Sequence, residues 1–172
     1  MTAGDEVRGR ILAPGLVLAP LERRHIEQVR LIRNDDRIRP WFRYSGIVEP
    51  EDQERWYDDY SAADDDRMWV LVDDEDRVLG AAALYSIDRE VGDAEFGRLM
   101  AHPDLGRGRG LGRLLTAALL DEAAALGLRH VRLVVKKDNA AARSIYESVG
   151  YVVAQASCEP DEIAMIATVT RP

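Results

Sequence analysis

Between Gly106 and Leu115 the chain reads GRGRGLGRLL. The four glycines leave the backbone bare, so a ligand can come close to main-chain N–H groups. Leucines at helical spacing follow, so the stretch opens a helix. A helix start presents N–H groups that have no intrahelical partner, at the positive end of the dipole. That combination holds anions, phosphates in particular, and Arg107 and Arg109 add charge to it. Two common phosphate motifs do not fit. No Gly-Lys-Ser/Thr follows at P-loop spacing. Counted from Gly106, Gly108 or Gly110, the last position of a dinucleotide fingerprint falls on Leu111, Arg113 or Leu115 instead of glycine or alanine. The next strand ends VVKKDN, where Lys136 and Lys137 suit a phosphate better than ribose hydroxyls.

The elements that must position this loop alternate between two periods. Strand patterns cover residues 15–21, 68–73, 78–88, 94–101, 130–135, 151–157 and 163–170. Ile26, Val29 and Ile32 recur at helical spacing, and Pro50 opens a second helix. Leu111, Leu114, Leu115, Ala118 and Leu119 give a third helix an apolar stripe, which Gly127 closes. Asn139 caps a fourth, and Gly150 ends it. Residues 1–14 read as a flexible tail and 15–172 as one domain. The expected fold is a mixed α/β (α+β) one, with a seven-stranded, mostly antiparallel sheet between helices.

Three segments in order resemble the GCN5-related N-acetyltransferases. RGRGLG matches that family's Arg/Gln-x-x-Gly-x-Gly/Ala signature, AEFGRLMAHPD its fourth strand, and VKKDNAAARSIYESVGY its Asn-then-Tyr-then-Gly-aromatic segment. One departure is Leu105–Gly106, a stretch that is often one residue shorter. The resemblance implies a sheet splayed between the fourth and fifth strands (94–101 and 130–135), with acetyl-CoA as cosubstrate in the gap. Its pyrophosphate would lie on the N–H groups of Arg107, Gly108, Arg109, Gly110, Leu111 and Gly112. Its pantetheine would pair with main chain at Leu99, Met100 and Ala101, with Asn139 touching the same arm. Tyr146 falls at the family's general-acid position.

Moving an acetyl group from a thioester to an amine needs a neutral amine, donors for the tetrahedral oxyanion and stabilisation of the departing thiolate. A phenol of ordinary pKa ~10 can protonate that thiolate. Glu95, on the fourth strand, is the candidate general base, directly or through water; a strand N–H near Leu99 or Met100 meets the carbonyl oxygen. No enzyme-bound intermediate is needed when both substrates are held together. His25, His102 and His130 are scattered, so no metal is expected. Cys158 stands alone and is read as structural.

For the acceptor, segment 23–43 holds seven arginines against three acidic residues, in a chain whose net charge is −8. Arg33, Asn34, Arg39, Trp41, Phe42 and Trp56 offer guanidinium groups for a diphosphate and rings for a base or sugar. They resemble the pattern of acetyltransferases acting on nucleotide-linked amino sugars, of the pseudaminic-acid pathway type, and such a sugar is the expected acceptor. The alternatives are a protein N-terminus, as in the ribosomal-protein acetyltransferases, and a polycationic small amine favoured by the acidic remainder. An acyl-CoA sensor without turnover is the non-enzyme alternative; retention of both Glu95 and Tyr146 argues against it. The acidic balance disfavours nucleic acid, and no apolar run is long enough to span a bilayer. A small-molecule amine is the expected partner, a homodimer is compatible with the pattern, and the cytoplasm is the expected location.

Overall fold

The computed structural model describes residues 9–156 and 159–170. Its element order is β1 (Arg10–Ala13), β2 (Leu16–Pro20), α1 (Ile26–Asn34), α2 (Pro50–Ala62), β3 (Arg67–Val72), β4 (Val78–Asp88), β5 (Asp93–Ala101), α3 (Leu111–Ala125), β6 (His130–Lys136), α4 (Ala140–Ser148), β7 (Val152–Val153) and β8 (Glu162–Thr168). The strands form one sheet in the order β1-β2-β3-β4-β5-β6-β8-β7. Every neighbouring pair is antiparallel except β5–β6.

The sheet therefore has eight strands where seven were expected. The extra one is Arg10–Ala13, read from sequence as tail. Its four residues carry too little alternation to announce a strand. A turn at Gly15, with φ +71°, folds them back onto β2. Arg10 then donates to Asp121 and to the Ala118 carbonyl of α3, each at 3.1 Å. The expected tail over residues 1–8 lies outside the described residues, as does Cys158. The strand expected at 151–157 is shorter, because only Val152 and Val153 pair with β8 at the sheet edge.

Two apolar layers sandwich the sheet. One joins Leu111, Leu115, Ala118, Leu119 and Ala123 of α3 and Tyr146 of α4 to Phe96, Val131, Leu133, Val135 and Met165. The other joins Ile26, Val29 and Ile32 of α1 to Val70, Ala81, Ala83 and Met100, with Trp56, Tyr57 and Tyr60 of α2 packed on its rim. Along β5 the even residues Ala94 and Phe96 thus face α3 and α4. Glu95 and Gly97 point to the side of α1 and α2, by strand alternation. Among the described residues no helix is long and apolar enough to cross a membrane.

Candidate active site

Strands β5 and β6 pair only at Asp93–His130, Ala94–Val131 and Glu95–Arg132. Beyond Glu95 they part, although β5 runs on to Ala101 and β6 to Lys136. β6 remains paired with β8 along its whole length, and β5 with β4. The gap is thus a wedge opened inside an otherwise continuous sheet, as expected. It leaves the β5 main chain from Phe96 to Ala101 without a partner on one edge. A ligand with an amide-like arm can satisfy those groups in place of a strand.

On its other edge, against β4, the same stretch of β5 carries a bulge. Ala81 pairs with Met100 and Ala83 with Gly97, so Arg98 and Leu99 of β5 together face Ala82 of β4. Arg98, inside the bulge, has φ +53°, unusual for a residue with a side chain. Its guanidinium forks onto Asp66 at 2.7 and 2.8 Å. It also lies over the rings of Tyr85, at 4.9 Å, and Trp56, at 5.4 Å. These contacts tie the bulge to α2 and to the start of β3.

The glycine segment stands at the end of β5. Gly106 N–H bonds to the His102 carbonyl at 2.8 Å and Leu114 N–H to the Gly110 carbonyl at 3.1 Å. Between them, the N–H groups of Gly108, Gly110, Leu111, Gly112 and Arg113 have no partner among the described residues. Gly108 and Gly110 have φ of +70° and +66°, and a Cβ on either would meet nothing within 4 Å. Their glycine identity therefore answers to the backbone turn and to open space above it. Gly112 differs: a Cβ there would press on Ile145 at 3.0 Å, so it sets how closely α3 approaches α4. The site fits a diphosphate: bare N–H donors, a dipole end and no side chain in the way.

Tyr146 lies on α4 with its ring edge-on to Phe96 at 5.8 Å and beside Tyr151 at 5.8 Å. Burial pushes its pKa up to about 12, with the neighbouring Tyr85 hydroxyl adding to the shift. No hydrogen bond to its hydroxyl forms among the described residues. Glu95 is exposed, at the last paired position before the wedge. Leu99 and Ala101 are half-buried and Met100 is buried, with their main chain along the open edge. Asn139 accepts the N–H of Ala142 at 3.1 Å as the cap of α4.

The chain matches the family model described as the Acetyltransferase (GNAT) family over residues 27–151. The chain belongs to the GNAT family. Among curated proteins, the mycothiol acetyltransferase of Beutenbergia cavernae is 41% identical over 86 residues, 49% of this chain and 28% of that one. That of Actinosynnema mirum is 30% identical over 126 residues, 70% of this chain and 39% of the relative. This GNAT chain thus matches well under half the length of those relatives. Among solved structures, the spermidine N-acetyltransferase from Vibrio cholerae, in complex with CoA and spermine, superposes with a TM-score of 0.81. It shares 24% identity over 90% of this chain and 96% of its own, which establishes a common fold.

The acceptor residues expected from sequence sit at the end of α1 (Arg33, Asn34), in the loop after it (Arg39, Trp41, Phe42) and on α2 (Trp56) of this GNAT domain. Asn34 is bonded to both the N–H and the carbonyl of Val48, each at 2.8 Å. Arg33 is buried, stacks on Phe42 at 4.1 Å and donates to the Tyr44 carbonyl. Arg39 pairs with Asp36 at 2.8 Å and donates to the Ser45 carbonyl at 3.0 Å. Trp56 stacks on Tyr60 at 5.1 Å. Trp41 and Tyr44 are exposed. The remaining arginines of segment 23–43 are also engaged: Arg23 with Glu54 and Asp58, Arg24 with Glu22 and Asp76, Arg30 with Glu27, Arg37 with Asp35 and Asp104, Arg43 with Glu162. The local excess of positive charge read from the sequence is therefore largely matched by carboxylates brought in from elsewhere.

The histidines are apart: His25 is buried beside Asp76, His102 accepts N–H bonds within its own turn, and His130 meets Asp93. Among the described residues no group of three or more His, Cys, Asp or Glu is placed to hold a metal ion. Sequence patterning missed Asp66, Tyr85, Gly97 and Arg98. One signal was present: the isolated Gly97 inside a strand pattern marks a bulge or a close approach.

Proposed function

We propose that this chain is an acetyl-CoA-dependent N-acetyltransferase, working by direct transfer in a ternary complex on a small amine with further positive charge, the single sheet from β1 to β8 and its helices acting as one domain. The observation that carries this reading is the open edge of β5 past Glu95, which begins at Phe96 with Tyr146 packed on it and leads to the bare helix start at Gly110. Main chain at Leu99, Met100 and Ala101 would hold the pantetheine, and the N–H groups between Arg107 and Gly112 the pyrophosphate, apart from that of Arg109, which donates to the Gly106 carbonyl at 3.3 Å. Asn139 would contact the same arm.

Glu95 takes a proton from the incoming ammonium, directly or through water. A β5 N–H near Leu99 or Met100 then meets the oxyanion. Tyr146 remains a neutral phenol at physiological pH and donates as negative charge builds on sulfur. The burial that makes Tyr146 a weaker acid also makes a thiolate in the same dry site a stronger base, so the two stay matched.

A cationic acceptor is supported by the pairing of all the arginines that would have met a diphosphate, apart from the buried Arg33. Glu51 and Asp59 of α2, exposed and without an ion pair among the described residues, point the same way, as does the spermidine substrate of the solved neighbour. A nucleotide-linked amino sugar is the second reading, favoured by the exposure of Trp41 (46%) and Tyr44 (65%) beside Arg43. The test is release of free thiol from acetyl-CoA across four acceptor classes: polyamines, aminoglycosides, nucleotide-linked amino sugars and basic N-terminal peptides. Highest kcat/KM for the amino sugars selects the second reading. Acetyl-CoA binding without thiol release in any arm would instead make the chain an acyl-CoA sensor.

A further inference from the structure

Tyr85 of β4 stands directly opposite Glu95 of β5, so the two side chains leave the same face of the sheet. That face belongs to α1 and α2, against whose core Tyr85 is partly packed. Two residues along β5 on the same face is Gly97. A Cβ built on Gly97 would lie 2.7 Å from the Tyr85 hydroxyl oxygen and 2.9 Å from a carbon of its ring. The ring therefore lies across Gly97, and only a glycine admits it there. Arg98, anchored on Asp66, covers the ring at 4.9 Å and limits its tilt. The Tyr85 hydroxyl has no hydrogen-bond partner among the described residues, although it has been brought to the position where β5 parts from β6.

We propose that Tyr85, seated over the bare Cα of Gly97, holds the acceptor amine, its hydroxyl oxygen accepting one N–H at the mouth of the wedge. The inference rests on the acetyltransferase reading above. Two phenols then flank the reacting atoms: Tyr146 from α4 serves the sulfur and Tyr85 from β4 serves the nitrogen. With one N–H bonded to Tyr85, the lone pair of a primary amine is left for the thioester carbonyl carbon. Glu95, exposed to water, first passes the ammonium proton to solvent. The C–N bond then forms and the C–S bond breaks; the second nitrogen proton leaves to Glu95, and sulfur takes a proton from Tyr146. The N–H held by Tyr85 stays on the amide product. Burial, and then the nearby Glu95 carboxylate, push the Tyr85 pKa up, against the opposing pull of Arg98 and Arg43, so it acts as a neutral acceptor.

Tyr85→Phe keeps the ring over Gly97 and removes only the oxygen. Its kcat/KM for the best amine of the panel should fall by about 10–100-fold, the scale of one lost hydrogen bond at a desolvated site, with acetyl-CoA affinity and thermal midpoint unchanged. Gly97→Ala displaces the ring and should give a similar loss. The double variant should be no worse than Gly97→Ala alone, because both remove the same contact. Wild-type acceptor kinetics in Tyr85→Phe overturn the inference. So does an equal loss of acetyl-CoA affinity, which would assign the tyrosine to the wedge itself. Absence of thiol release from the unsubstituted protein overturns the acetyltransferase reading, and this inference with it.

Discussion

Arg98 grips Asp66 through both ends of its guanidinium, at 2.7 and 2.8 Å, while its own backbone sits at φ +53° in the bulge of β5. A left-handed residue with a side chain persists only when its surroundings hold it. Asp66 is the most direct of those restraints. Asp66→Asn keeps the shape and removes the charge. It should lower unfolding free energy by about 1–2 kcal/mol, the range for hydrogen bonds to charged groups in a partly solvated site, read as a shift in urea midpoint. Turnover should fall as well, because β5 N–H groups next to the bulge lose their aim. A variant with unchanged midpoint and turnover would show that the bulge holds without the pair.

Tyr146→Phe should lower kcat by ~10²–10⁴, the scale of general acid catalysis, with acetyl-CoA affinity nearly intact in a calorimetric titration. Full activity would mean that the thiolate leaves without this donor. The same residue carries a stability signature. Burial raises Tyr146 to about 12 and raises Tyr151 as well, while the unfolded chain ionises its tyrosines near pH ~10. The native state therefore holds more protons than the unfolded one above pH ~10. Stability is full below that pH and falls as pH rises from there through 12. Urea midpoints at pH 8 and 11 should differ less in Tyr146→Phe than in the parent.

Gly110→Ala and Gly110→Asp separate backbone from ligand effects. Alanine at φ +66° should cost about 1 kcal/mol of stability, from the left-handed conformation. The space above Gly110 is open, so alanine clashes with nothing in the protein. Aspartate adds a carboxylate where the pyrophosphate is proposed to lie. It should weaken acetyl-CoA binding at least tenfold beyond the alanine variant. Equal affinities for the two variants would move the diphosphate elsewhere.

Glu95→Gln should lower activity most near neutral pH, where the amine is largely protonated, and recover part of it at high pH, where free amine is plentiful. A pH profile of kcat/KM reads this directly. An equal loss at every pH would make Glu95 a positioning residue at the root of the wedge, consistent with its place as the last paired residue of β5.

Arg43 is the arginine of segment 23–43 with the loosest partner: its side chain is 79% exposed and meets Glu162 only at 3.5 Å. Arg43→Ala should leave KM for a polyamine unchanged or lower it, and leave acetyl-CoA binding alone. A several-fold rise in KM confined to nucleotide-linked amino sugars, together with higher kcat/KM for those sugars, would restore the second reading.

Features that depend only on neighbours along the chain were legible in the residue order. The glycine segment, the cap at Asn139, the apolar stripe of α3 and the Pro50 helix start are local features, and each lies where its pattern placed it. The order of strands and helices followed from the same periods; the wedge was implied only by the family resemblance of the three motifs. Tertiary structure decided what depends on distant residues. Arg10–Ala13 becomes a strand only because β2 and α3 receive it. The arginine-rich segment loses most of its excess charge only when Glu54, Asp58, Asp76, Asp104 and Glu162 fold against it. Tyr85 meets Gly97, and Asp66 meets Arg98, only through strand pairing and the docking of α2. A charge or a hydroxyl in a sequence has a type but no partner. Partners come from contacts between residues far apart in the chain, and at this site the partners set which side chains remain available to a substrate.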